Sequence, residues 1–233
     1  MAGRPAQHSR EEFVTAALAL IDSDGYEALT ARNLGTRIGV HATAIYRYFP
    51  ARDDLITAVV DRVFGEIAQL PPNPTAPPRE QLLALMLHAR TVLLSHANIT
   101  IPLVTSSGLM PNGAVLMLRV LDGLETLGLH GPQLVAAYQA LESYVIGATA
   151  FDLAAAPENV AIRQQRYALL GHPDFAAAAK TVRKVAASNE AAFRFGCEAM
   201  LDSYVVLAGR PAPAPEPASK RPSTRTPKRT SND

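Results

Sequence analysis

Apolar side chains recur along most of this chain at three- and four-residue spacings, and nowhere in a strict alternation. Phe13, Ala16, Ala17, Leu20 and Ile21 fall on one face of a helix, and Leu55, Ile56, Val59, Val63 and Ile67 fall on one face of another. The second opens with Asp53 and Asp54, acids placed where the positive end of a helix dipole favours them. The same periodicity predicts helices near 79–96, 112–127, 132–155, 173–187 and 189–208, with a weaker one near 158–169. Gly128 and Gly131–Pro132 punctuate the series. The expected fold is all-α, with about nine or ten helices and no sheet.

Two stretches interrupt the pattern. Residues 71–78 read Pro-Pro-Asn-Pro-Thr-Ala-Pro-Pro and hold five of the 18 prolines. They are expected to break the helical series, because proline lacks an N–H donor and clashes with the preceding turn. Residues 210–233 hold six more prolines among Lys, Arg, Ser and Thr, with almost no bulky apolar side chains. Such a tail buries too little surface to offset its ordering entropy, so it is expected to be disordered.

Composition adds bounds rather than a function. Of 233 residues, 48% are hydrophobic and 18% charged, enough apolar material for a globular core. The net charge of +1 points to no partner, but it is uneven. The balance is 0 over residues 1–50, −3 over 51–209 and +4 over 210–233. The single cysteine, Cys197, excludes an intramolecular disulfide framework and reads as a buried thiol. No secretory signal is expected from the first residues, and the longest apolar runs are broken by His88 and Arg90 and by Gln139 and Glu142. No membrane partner is expected, and a cytoplasmic protein is.

Residues 28–49 carry the chemistry. Thr30 is placed to cap a short helix whose buried face is Leu34 and Ile38. Gly39 suits a left-handed turn, Val40 points inward, and a second short helix starts at Ala42 with Ile45 and Phe49 apolar. This is a helix-turn-helix, whose second member can lie in the major groove of DNA. Ala42, Thr43 and Ala44 are small enough for close approach to base edges, while Tyr46, Arg47 and Tyr48 offer hydrogen bonds to phosphates and bases. The segment contains Arg32, Arg37 and Arg47 and no acid.

The run Thr30-x-Arg32-x-Leu34-x-x-x-Ile38-Gly39-Val40, then Ile45-Tyr46-x-Tyr48-Phe49 and Arg52-x-x-Leu55, closely resembles the DNA-binding domain of tetracycline-repressor (TetR) family regulators. The resemblance is strong over about residues 9–67 and weaker through the later helices. It implies three N-terminal helices that grip DNA, a fourth that links them to a helical core, and two late helices that pair across a dimer. The implied organisation is a DNA-binding domain over 9–52, a ligand-binding and dimerisation domain over 53–209, and the basic tail over 210–233. Thr30 and Arg32 would then hold the DNA backbone, with Arg32 in reach of a base. His41, Ala42, Thr43 and Ala44 begin the recognition helix, Tyr46 and Tyr48 contact phosphates, and Arg47 reads a base. Arg52, where Lys is usual, would clamp a phosphate. Gly35 stands where Ala is common, at an expected cost to the helix of up to about 1 kcal/mol. His41 stands where a small cap such as Ser is frequent.

By the same resemblance a small apolar effector enters the C-terminal core. His88, Arg90, His96, Thr105, Tyr138 and Glu142 are the candidate polar groups for it, since such pockets are mostly apolar with few anchors. The expected dimer interface is a stripe of Leu134, Tyr138, Leu141 and Val145 with Phe193, Cys197, Met200, Leu201 and Tyr204. His88 and His96 lack a third ligand at helical spacing, so no metal is expected, and no cofactor either. Ser106-Ser107-Gly108 lacks the strand-turn-helix of a nucleophile elbow, and no enzyme is expected. The function implied is a homodimeric, ligand-responsive regulator of a palindromic operator, usually a repressor in this family. An activator or protein-controlled regulator of the same fold, or a helical interaction module that binds no DNA, are the alternatives.

Overall fold

In the computed structural model, residues 8–106, 108, 110–153, 165–174, 177 and 185–209 are described. Helix α1 (Arg10–Asp24) starts on Ser9, whose hydroxyl accepts from Glu12 N while the Glu12 carboxylate accepts from Ser9 N. Helix α2 (Ala31–Ile38) is capped by Thr30, whose side chain accepts from Asn33 N at 3.1 Å. It ends at Gly39 in the left-handed conformation, φ 73° and ψ 31°, as the sequence predicts. A 3-10 segment, Ala42–Arg47, follows. Helices α3 (Arg52–Ala68), α4 (Pro78–Ser95), α5 (Thr100–Thr105), α6 (Pro111–Thr126), α7 (Gly131–Leu153) and α8 (Val185–Ala208) complete the framework.

No strand occurs among the described residues, and the fold is all-α. Pro78 opens α4, where its missing N–H costs nothing, so the proline break ends one residue earlier than expected. The predicted break near residue 188 is absent, because α8 runs unbroken from Val185. Residues 165–169 are helical, while most of the helices expected at 158–169 and 173–187, and the tail 210–233, lie outside the described residues. Among the described residues no single helix is long and apolar enough to cross a bilayer.

Two apolar cores organise these helices. The first joins Phe13, Val14, Ala17 and Ile21 of α1 to Leu34, Ile45 and Phe49, to the inner face of α3, and to Leu85, Ala89, Val92 and Leu93 of α4. The second joins Leu82 and Met86 of α4 to Leu124, Leu129, Leu141, Phe193, Cys197 and Leu201. Helix α4 therefore faces both, and the helix-turn-helix is packed through α3 onto the rest of the chain.

Helices α3 and α6 cap each other. The Asp61 carboxylate accepts from the backbone N–H groups of Asn112 and Gly113, at 2.8 and 3.1 Å, in the first turn of α6. In return Arg119 donates to the carbonyls of Leu70, at 2.5 Å, and Ala68, at 3.4 Å, at the end of α3. Each helix thus satisfies free backbone groups at an end of the other.

Candidate nucleic-acid interface

The turn between α2 and the 3-10 segment is tighter than the spacing alone reveals. A Cβ at Gly35 would stand 2.7 Å from the Val40 carbonyl oxygen and 3.4 Å from Ala42 N. Gly35 thus lies against the backbone that follows the turn, so the expected helix-propensity cost is set against a contact an alanine could make only by shifting backbone. The second short helix expected from Ala42 takes the 3-10 form over Ala42–Arg47. Ala44 N donates to His41 O at 2.9 Å and Tyr48 N to Ile45 O at 3.0 Å, the i to i−3 pattern, and the run ends at Arg47 with Tyr48 as its C-cap. His41 does serve as its cap: Nδ1 accepts from Thr43 N at 3.4 Å and lies 2.9 Å from the Thr43 hydroxyl.

Leu34, Ile45 and Phe49 point into the first core and leave the opposite face outward. On that face Thr30, Arg32, His41, Thr43, Tyr46 and Arg47 are exposed, and Ala42 and Ala44 are half-buried between them. Tyr46 is 53% exposed, an unusual amount for a tyrosine that belongs to a core. Arg32 and Arg47 make no hydrogen bond or ion pair with any described residue, whereas Arg37 is held by Ser23, at 3.2 Å, and Asp24, at 3.8 Å, of α1. The free cations of the motif are therefore the two on its outer face.

Two of the expected DNA contacts have internal duties. Tyr48 is half-buried, its ring 5.3 Å from that of Phe13, and its hydroxyl donates to the His8 carbonyl at 2.9 Å. Arg52 donates from Nε to Leu29 O at 2.9 Å, and its terminal nitrogens lie 3.3 and 3.4 Å from the Tyr26 hydroxyl and carbonyl. Its guanidinium also sits over the Tyr26 ring, 4.7 Å from the centre. Sequence reasoning missed both contacts, because their partners lie 23 to 40 residues away in the chain.

Residues 13–59 match the model of "Bacterial regulatory proteins, tetR family", and residues 70–203 match that of "Tetracyclin repressor-like, C-terminal domain". The chain belongs to the tetR family. This tetR-family protein is 31% identical over 156 residues to an HTH-type transcriptional regulator of Saccharopolyspora erythraea, spanning 64% of this chain and 66% of the relative. It is 30% identical over 156 residues to the HTH-type transcriptional repressor DrrR1 of Streptomyces coeruleorubidus, spanning 61% and 53%. The matches thus span about half to two thirds of these relatives' length. In fold it is similar to ActR of Streptomyces coelicolor in complex with actinorhodin, with TM-score 0.72, 22% identity and coverage of 90% and 99%. It is likewise similar to BioQ with its double-stranded DNA operator, with TM-score 0.63, 21% identity and coverage of 86% and 99%. The chain thus joins a tetR-type helix-turn-helix domain to a tetracyclin repressor-like C-terminal domain.

Part of the dimer stripe expected for this tetR-family chain needs correction. Leu141, Phe193, Cys197, Leu201 and Tyr204 are at most 8% exposed and form the second core of the chain itself. Leu134, Tyr138, Val145 and Met200 are half-buried against the same cluster. The stripe faces inward because α4 and α6 present Leu82, Met86 and Leu124 to it. The five buried side chains are already covered within one chain, whereas Leu134, Tyr138, Val145 and Met200 keep part of their surface exposed. Burial also pushes the Cys197 thiol up to about 12, so it stays protonated and inert.

The six effector candidates do not converge. His88 Nε2 lies 3.3 Å from the Glu66 carbonyl, and His96 sits between Asp22 and Glu66, so both face α3. Arg90 is buried, its guanidinium 5.5 Å from the centre of the Phe193 ring. Tyr138 donates to Glu142 at 2.9 Å, and burial together with that carboxylate raises its hydroxyl pKa. Thr105 is exposed and donates to Ile101 O at 2.9 Å. A cavity of about 470 Å³ is lined instead by Arg10, Glu11, Thr57, Asp61, Arg62 and Asn112, among others, and one of about 490 Å³ by Asp24, Tyr26, Glu27, Asn98 and Ile101, among others.

Proposed function

We propose that this regulator is a homodimeric, effector-responsive repressor that acts in the cytoplasm on a palindromic operator. The observation that carries the DNA-binding surface is the outer face of the helix-turn-helix: Arg32, Thr43, Tyr46 and Arg47 exposed together on a rigid core, without an acid among residues 28–49. Arg32 and Arg47 read bases or phosphates, Tyr46 and Thr30 hold phosphates, and His41, Ala42, Thr43 and Ala44 lie against the groove. Tyr48 and Arg52 bear on DNA by holding the motif as well as by any contact of their own. Two-fold protein symmetry then requires a two-fold operator, with one motif in each of two successive major grooves.

The dimer face in this reading is the outer side of α7 and α8, where Val135, Gln139, Ser143, Phe195, Ala199 and Val206 are exposed. Phe195 is 74% exposed, more than an unpartnered helix ordinarily leaves of a phenylalanine. The effector is a small apolar molecule in the helical core, and it acts by binding two arrangements of the motifs with different affinity. ActR bound to actinorhodin and the repressor DrrR1 support the response and its sign.

Selection from random duplexes tests the whole reading. The expected result is a palindrome bound with steep salt dependence. Tyr46→Phe should weaken binding by about 0.5–1.5 kcal/mol without lowering the melting temperature, and Arg47→Ala should relax sequence preference. If no duplex is enriched, the helical interaction module replaces the repressor.

A further inference from the structure

We propose that His96 is a charged pin, a protonated imidazole that fastens the helix-turn-helix to the helical core, and that operator affinity is linked to its protonation. His96 stands directly after α4. Its Nδ1 lies 2.9 Å from Asp22 Oδ2 on α1, and its Nε2 lies 3.0 Å from Glu66 Oε2 on α3. A neutral imidazole carries one N–H, so its other nitrogen would aim a lone pair at a carboxylate. Only the imidazolium donates to both.

The helix ends point the same way. Asp22 lies in the last turn of α1 and Glu66 in the last turn of α3, and His96 itself follows the last turn of α4. None of these three last turns contains a basic residue. Two carboxylates borne on C-terminal turns thus meet at one ring, itself at the C-cap of a third helix, where a cation is favoured, while Arg119 holds the last carbonyls of α3.

The other groups around the pin leave that demand unmet. Arg62 of α3 takes the second oxygen of Glu66, at 3.3 Å from Oε1, and also pairs with Glu11 of α1. Glu11 and Glu66 thus share one guanidinium, and Asp22 pairs with His96. His88 of α4 touches only the Glu66 carbonyl, at 3.3 Å, and Asn98 donates to Ile21 O at 2.9 Å and to Asp22 O at 3.3 Å. Burial opposes a charge on His96, but Glu66 and Asp22 together outweigh it and hold its pKa above the usual 6.5. The pin is therefore complete below the ordinary histidine value and is lost as pH rises through the raised one. Without it α1 is tied less firmly to the α3–α4 junction, and ordering the freed motif on DNA costs affinity.

The test has two readouts, of which only the second rests on the operator-binding reading. The first is an NMR titration of the His96 ring in the full chain, assigned by its loss in His96→Gln. The wild-type ring should titrate above the ordinary value, and Asp22→Asn and Glu66→Gln should each lower it. A wild-type ring at or below the ordinary value, or one unmoved by either variant, overturns the pin. The second is affinity for the selected palindromic duplex from about pH 6 to 9. Wild-type affinity should fall roughly fivefold or more across that range, His96→Gln should lose that fall, and Asp22→Asn, which keeps the ring, should move its midpoint down. Superimposable pH profiles for wild type and His96→Gln overturn the linkage. Should selection recover no duplex, the repressor reading fails while the ring titration still decides the pin.

Discussion

The helix-turn-helix and the α7–α8 pair are both helical and both partly apolar, yet their faces behave differently. In the first, Leu34, Ile45 and Phe49 go in while Arg32, Thr43, Tyr46 and Arg47 go out, so the two sides are chemically distinct. In the second, Leu141, Phe193 and Leu201 go in while Val135, Phe195 and Val206 go out among polar neighbours such as Gln139 and Ser143, so large apolar groups stand on both sides. Helical spacing reveals that a stripe exists. It reveals what the stripe meets only when the opposite side is polar.

The sharpest way to break this comparison is to place one charge on each side of α8. Leu201→Glu buries a charge in the second core and should cost at least about 3 kcal/mol, read as a much lower melting temperature. Phe195→Glu should keep the melting free energy within about 0.5 kcal/mol while turning a sedimenting dimer into a monomer. If the two variants exchanged these behaviours, the orientation of α8 would be wrong.

A smaller effect separates holding the motif from touching DNA. Arg52→Ala removes its bonds to Leu29 and Tyr26, so melting and operator binding should fall together, by about 1–2 kcal/mol in stability. Arg52→Lys keeps the charge but not the planar fork. Restored stability in the lysine variant would count against the role of the fork. Smallest of all, Thr30→Ala should cost about 1 kcal/mol through the lost cap of α2, and Thr30→Ser should recover most of it in a thermal melt.

The same contrast explains what could be read in advance. Thr30 as cap and Gly39 as left-handed turn were legible because capping and positive φ each select a few residue types within a short window. The outward Arg32, Tyr46 and Arg47 followed once Leu34, Ile45 and Phe49 were assigned inward. The pairing of Arg52 with Tyr26, of Tyr48 with His8 and of His96 with Asp22 was not legible, since each joins residues more than 20 positions apart through packing that no local pattern encodes. The inward turn of Leu201 was hidden for another reason: α4 and the partner face of α8 call for the same kind of side chain. The 3-10 form of Ala42–Arg47 was not legible either, because apolar spacing over six residues does not separate a 3-10 turn from an α-turn.

The mutual capping of α3 and α6 makes α3 a lever. Its 17 residues span roughly 25 Å at about 1.5 Å each. Arg119 holds the far end and Asp61 the middle, so α3 cannot slide along α6 without uncapping both helices. Rotation with α6 as one body is the motion left open. A tilt of about 5° at the Arg119 end then carries the Arg52 end by roughly 2 Å, and with it the loop of Tyr26 and Leu29 that Arg52 grips. A small displacement at the core end of α3 would thus reach the motif enlarged.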